Sequence, residues 1–201
     1  ELVQHTPHTF LKATVTNVDP VKKIVTTTAG TVTYDYVVLA LGSSVNFFGV
    51  PGADTYAYTV RTLSKAMNFR EKFIEKLDTN PKTLDLVVVG GGFTGIEVVG
   101  QLASFKKKIR TLYPHTTITI SLIEASKNLV PQLPPRAQQF IARHLKKNQV
   151  TLYFEQAVQE VKKGSVVLTV GTVLPSDFTL WSAGVGNVAD RILPPIFCTK
   201  G

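Results

Sequence analysis

Gly90, Gly92 and Gly95 stand at the spacing Gly-x-Gly-x-x-Gly, directly after the apolar run Leu84–Val89 and directly before a stretch of helical character. In that setting the first glycine permits a tight turn and the second lets backbone come close to a pyrophosphate. The third lets the helix pack against the strand. The phosphate would rest at the helix N-terminus, where free N–H groups and the helix dipole favour negative charge. The residues forming such a loop are Gly90, Gly91, Gly92, Phe93, Thr94 and Gly95. The following strand ends in an acid, Ser121-Leu122-Ile123-Glu124. A carboxylate there accepts hydrogen bonds from the adenosine ribose and repels a 2′-phosphate, so the combination predicts a dinucleotide, NADH before NADPH. Lys127 nearby argues slightly the other way, and an ordinary surface acid at a strand end is the alternative for Glu124. Glu97 is open to two readings: a carboxylate in the first helical turn favoured by the dipole, or a group facing the nicotinamide or an electron acceptor.

The elements that must position these residues follow from periodicity. Segments 10–18, 23–28 and 31–34 read as antiparallel strands, broken by Asp19-Pro20 and Ala29-Gly30. Tyr36–Ala40 is a near-continuous apolar run, expected to be a strand buried on both faces and ending at Gly42. Residues 43–59 break into Asn, Gly, Pro and aromatics and read as a linker or crossover. Arg61–Leu77 has apolar residues at helical spacing. From Leu84 onward, strands 84–89, 117–123, 150–154 and 178–181 alternate with helices 94–112 and 135–147. A hairpin, 157–162 with 165–170, sits before the last strand. This predicts an α/β fold: a Rossmann-type parallel sheet with an antiparallel β insertion, preceded by the strands of a partial second domain.

Composition narrows the class. The 201 residues carry 22 Lys+Arg against 14 Asp+Glu, a formal charge of +8, with 44% hydrophobic and 18% charged residues. That balance argues against disorder. One cysteine excludes an intrachain disulfide, a Cys-x-x-Cys pair and a cysteine-rich zinc site, and points to a reducing compartment. His5, His8, His115 and His144 have no metal-ligand spacing, so no metal is expected. No apolar run approaches a membrane span, and residues 1–10 do not form a signal peptide. Residues 106–163 hold eleven basic and three acidic residues, the whole of the surplus. The simplest reading is solvated helix faces; anionic lipid or nucleotide phosphate fits better than nucleic acid, for which no motif stands out.

Tyr34-Asp35-Tyr36-Val37-Val38-Leu39-Ala40-Leu41-Gly42-Ser43 resembles the strand-and-glycine segment of the flavin domain in flavoproteins with two dinucleotide sites. It runs into Asn46-Phe47-Phe48-Gly49-Val50-Pro51-Gly52, which is similar to the type II NADH dehydrogenases, the single-subunit NADH:quinone oxidoreductases. Gly90–Glu97 and Trp181-Ser182-Ala183-Gly184-Val185 are close to that family's NADH-domain motifs. The resemblance implies hydride transfer from NADH to FAD and on to a membrane quinone, with no proton pumping. It implies that Gly91, Gly92, Thr94 and Gly95 hold the pyrophosphate and Glu124 the ribose. It also places Glu97 as a catalytic residue near the nicotinamide and quinone end, Gly184 where backbone approaches the nicotinamide, and Gly42 in the flavin-domain crossover. At Gln101 many members carry a glutamate, so a second carboxylate role has no residue here.

The same resemblance divides the chain into 1–50, part of a flavin domain; 51–186, the NADH-binding Rossmann domain with its leading helix; and 187–201, a partial return. Only one glycine loop is present, so the chain is expected to be an excised part that binds NADH and holds FAD poorly by itself. The alternatives are an NADH-binding or sensing module without turnover, and another FAD-dependent NAD(P)H reductase or oxidase. Cys198, without a partner cysteine, argues against disulfide reductases and sulfide:quinone reductases of this fold. Expected partners are NADH and, in the intact protein, quinone and a membrane surface, with a second copy of the chain as a further candidate and no nucleic acid. The expected location is cytoplasmic, peripheral on the inner face of the cell membrane.

Overall fold

A computed structural model describes residues 8–194. His5, Cys198 and the end of the 187–201 segment lie outside the described residues. The chain divides into two units: Val45–Gly184 is one, and the described residues up to Ser44 and from Val185 make the other.

In the smaller unit, β1 (Val15–Asp19), β2 (Ile24–Thr27) and β3 (Gly30–Thr33) form an antiparallel sheet in chain order. Asp19 turns the first corner by accepting the Val21 and Lys22 amides on Oδ1 at 3.0 and 2.9 Å, an Asx turn. Gly30, at φ 119°, turns the second. Val18 is fully buried, and its amide donates to the Ile192 carbonyl at 2.9 Å.

The expected strand at Tyr36–Ala40 is not formed. Tyr36 and Val38 are 94% and 88% exposed. A strand buried on both faces needs ladder partners and covering layers, and among the described residues no strand pairs with this run. The next element is instead β4 (Ser43–Val45).

The larger unit begins inside the expected linker, which contains a helical turn, α1 (Ala53–Tyr56), and a short strand, β5 (Ala57–Tyr58). Then come α2 (Leu63–Asp78), β6 (Thr83–Val89), α3 (Phe93–Leu112), β7 (Thr117–Glu124), α4 (Pro135–Lys147) and β8 (Val150–Phe154). β9 (Val158–Lys162), β10 (Ser165–Leu168), β11 (Val173–Pro175) and β12 (Phe178–Trp181) complete it, and the chain leaves through β13 (Val185–Asn187), which pairs with β4. The main sheet is parallel, in the order β5-β12-β6-β7-β8. The insertion has three antiparallel strands, β11-β10-β9, rather than the two of the expected hairpin. β5 was missed because two residues are too short to show a period, and β11 because Pro175 reads as a break.

Alternation along the central strands sorts side chains into two layers. Leu84, Leu86 and Val88 of β6 and Ile118, Ile120 and Leu122 of β7 face a cluster built with α2, α3 and α4. Val87, Val89 and Ile123 face the other way, onto Val161, Val166 and Leu168 of the antiparallel insertion and Trp181. Both faces are thus covered, as a parallel sheet requires. Thr62 caps α2 by accepting the Lys65 amide, and Pro134-Pro135 opens α4, where proline costs no hydrogen bond. The Tyr113 hydroxyl donates to Asp78 at 2.6 Å, joining the ends of α2 and α3 and holding the phenol's pKa above the ordinary tyrosine range.

Candidate dinucleotide-binding site

β6 ends at Val89, and the chain must reverse into α3 within Gly90-Gly91-Gly92. Gly90 has φ 103°, a conformation side chains rarely adopt, and a Cβ there would lie 2.7 Å from the Ala183 amide nitrogen. At Gly95, a Cβ would overlap the Gly90 carbonyl oxygen, so glycine lets the first turn of α3 sit on the loop. Gly92 differs from both: it is the N-cap, in extended backbone at φ −72°, and nothing lies within 4 Å of where its Cβ would be. No side chain caps α3. Its N-terminal amides therefore open onto free space beside Gly92, where an anion is favoured by both dipole and hydrogen bonding. Phe93 and Thr94, the first residues of the helix, are exposed at this mouth.

Glu124, at the end of β7, reaches across to the loop. Its Oε2 accepts the Gly91 amide at 2.6 Å and its Oε1 accepts the Ser126 amide at 2.7 Å. The Gly91 N–H, expected to serve a pyrophosphate, is thus occupied by Glu124. Each carboxylate oxygen retains a lone pair for a further donor. Gly91 itself is buried against Leu129 and the Glu124 side chain, so it braces the loop from behind. Lys127 is exposed and makes no ion pair with Glu124 among the described residues.

The other wall comes from the end of β12. The Ser182 hydroxyl lies 2.8 Å from the Val89 carbonyl and 3.0 Å from the Gly90 carbonyl, and its amide donates to Val89. Gly184, at φ 75°, packs so closely on Phe48 and the Asn46 carbonyl that a Cβ would lie 2.5 to 2.7 Å from them. The Trp181 indole donates to that Asn46 carbonyl at 3.0 Å, and its ring lies 5.6 Å from Phe47. The Asn46–Gly49 segment, the 182–184 segment and the glycine loop therefore form one bonded chain. The family resemblance gave a role to Gly184 but none to Ser182, Asn46 or Phe48 of the same motifs, because nothing in spacing says what a hydroxyl or carbonyl touches. It also missed Val130, which donates to the Gly91 carbonyl at 3.0 Å from a strained, fully buried position at φ 45°.

Glu97 is not in the first turn of α3. The helix starts at Phe93, which puts Glu97 in the second turn, too far along for the dipole to account for it. It is exposed and lines a groove toward α2 with Phe69, Arg70 and Gln101. Gly42, at φ 70° with open space around it, belongs to the smaller unit. Among the described residues, no group of histidine, cysteine and acidic side chains is placed to hold a metal ion. No described helix is long and apolar enough to cross a membrane.

Removing the Ser182 hydroxyl tests the tie between β12 and the loop. Ser182→Ala is expected to cost about 1 kcal/mol of stability and to weaken nucleotide binding a few-fold. Ser182→Thr, which keeps the donor, should restore both, as read by thermal denaturation and nucleotide titration.

Known proteins resemble this chain in sequence and fold. The family profile described as pyridine nucleotide-disulphide oxidoreductase matches residues 2–191. The internal alternative NAD(P)H-ubiquinone oxidoreductase A1 of Arabidopsis thaliana mitochondria is 33% identical, over 77% of this chain and 32% of its own length. The type II NADH:quinone oxidoreductase of Staphylococcus saprophyticus is 27% identical, over 88% of this chain and 47% of its own. NDH2 of Plasmodium falciparum, solved in complex with NADH, superposes with a TM-score of 0.77 at 25% identity, covering 90% of this chain and 42% of that one. The chain thus spans 32% to 47% of the length of these relatives. A profile match over nearly its whole length, on a fold with the glycine loop at the carboxyl end of β6, places the chain in the pyridine nucleotide-disulphide oxidoreductase family.

Proposed function

We propose that this chain is the NADH-binding part of a flavin-dependent NADH:quinone oxidoreductase. The observation that carries the reading is the open space at Gly92, beside uncapped α3 amides and within one loop of the Glu124 carboxylate. NADH enters as substrate: its pyrophosphate rests over Gly92, Thr94 and the α3 amides, and its adenosine ribose donates to Glu124. A 2′-phosphate would face the same carboxylate, which disfavours NADPH. Gly184, whose missing Cβ lets Phe48 and the Asn46 carbonyl pack against it, is assigned to the nicotinamide end, and Glu97 is the catalytic carboxylate proposed for the nicotinamide and quinone end. In the intact protein FAD would supply the hydride acceptor for NADH. Gly42 and residues 1–50 and 187–201 are assigned to the flavin domain and residues 51–186 to the NADH domain. A second Gly-x-Gly-x-x-Gly does not occur in the chain, so no step through the flavin is derived from it.

Quinone, a membrane surface and a second copy of the chain are the partners proposed for the intact protein, with a peripheral position on the inner face of the cell membrane. The chain by itself fits a second reading, nucleotide binding without turnover, which is favoured by its single glycine loop. Titration with NADH and NADPH, with a flavin spectrum of the purified chain, tests both. NADH is expected to bind at least about tenfold more tightly, with no stoichiometric flavin. Equal affinity for the two nucleotides would remove the role given to Glu124, and stoichiometric flavin would remove the second reading.

A further inference from the structure

Glu124 belongs to a short stretch that a second stretch of chain lies against. Past β7, the Ser126 carbonyl accepts the Glu155 amide at 3.2 Å, and the Glu124 carbonyl accepts the Gln156 amide at 3.3 Å. Residues 124–126 and 155–156 therefore run side by side at the carboxyl ends of β7 and β8. Glu155 makes the corner between β8 and β9 in the left-handed region, at φ 54°, a conformation that side chains rarely adopt. This corner fixes the backbone of Gln156 next to the acid assigned to the adenosine ribose.

The Gln156 side chain has a feature that the fold does not use. Its Oε1 is buried and accepts no hydrogen bond, the single such side-chain atom among the described residues. A buried acceptor without a donor costs stability, and leucine or methionine would fill the same space without that cost. β9, which follows, sends Val158 and Val161 into an apolar layer, so packing alone gives no reason for an amide here. An acceptor kept where the fold is penalised for it points to a donor that arrives from outside.

We infer that Gln156 reads the adenine base of the bound dinucleotide. The base is attached to the ribose, so a ribose held by Glu124 brings it to the 155–156 segment. Gln156 is only partly buried as a residue, and Oε1 has no hydrogen bond to lose when the side chain rotates outward. A glutamine carboxamide matches adenine along its N6/N7 edge: Oε1 accepts the 6-amino group, and Nε2 donates to N7. Hypoxanthine presents an acceptor at each of these positions, so against it Oε1 stays without a donor. The inference rests on placing the ribose at Glu124, and it adds a base preference that a carboxylate on the ribose cannot supply.

The test is titration of the 201-residue chain with NADH and with its hypoxanthine analogue, in which a carbonyl replaces the 6-amino group. NADH is expected to bind at least about tenfold more tightly. In Gln156→Met and Gln156→Leu the two affinities should converge, while the preference for NADH over NADPH stays. Both variants should also raise Tm by about 2–4 °C, because the buried acceptor without a donor is gone. Convergence together with a raised Tm supports the inference. Equal affinities in the unaltered chain, or a base preference that survives in both variants, would overturn it and leave the NADH reading standing. A lowered Tm in both variants would also overturn it, since Oε1 would then have a partner within the fold. A chain that binds neither NADH nor NADPH would overturn the functional reading and this inference together.

Discussion

Gly92→Ala is expected to weaken NADH binding by at least about tenfold while leaving the fold almost untouched; Gly95→Ala, three residues on, should damage both. The difference follows from what a single methyl group meets. At Gly92 the backbone is already in a region open to alanine, and nothing stands within 4 Å of the new Cβ. Alanine is a poorer N-cap than glycine but restricts the unfolded chain. These small effects oppose, and the net change should stay within about 1 kcal/mol. The methyl group would then occupy only the space assigned to pyrophosphate. At Gly95 it would overlap the Gly90 carbonyl and approach the Ser182 hydroxyl at 2.8 Å, so α3 must move off the loop. Overpacking against backbone costs about 3 kcal/mol, or about 6–12 °C in Tm for a domain of this size. Thermal denaturation and NADH titration on the two variants read both quantities. Unchanged NADH affinity in Gly92→Ala would move the pyrophosphate elsewhere.

Glu124→Gln should lower stability and abolish nucleotide discrimination together. The carboxylate accepts two backbone amides at 2.6 and 2.7 Å, short distances of the charge-assisted kind. A carboxamide has one acceptor oxygen, so one amide must face an NH₂ group, and the expected loss is about 2 kcal/mol. Without the negative charge, the penalty on a 2′-phosphate disappears, and NADH and NADPH affinities should converge. Loss of stability with the NADH preference intact would reduce Glu124 to a brace for the loop.

The site was legible where a backbone requirement writes itself into residue type. Gly90 and Gly95 must be glycine because a Cβ would strike Ala183 or the Gly90 carbonyl, and such positions show at fixed spacing. The parallel strands were legible because β7 alternates polar and apolar residues from Thr117 to Leu122 and Leu86–Val89 of β6 is an unbroken, buried apolar run. Tyr36–Ala40 has the same signature, yet stays exposed because burial belongs to a strand's neighbours, not to the strand. β5 was hidden for the opposite reason: its two residues gain strand form only from pairing with Thr179 and Leu180.

By itself, the sequence determined the α/β class, the position of the glycine loop, the acid that follows it and the basic bias of 106–163, since all of these depend on local residue type and spacing. Only the tertiary structure decided that Glu124 spends one oxygen on the Gly91 amide of the loop, that Ser182 ties β12 to Gly90, and that Glu97 turns toward the α2 groove. Those are contacts between residues far apart in the chain, and only the packing of strands and helices brings them within hydrogen-bond or van der Waals reach.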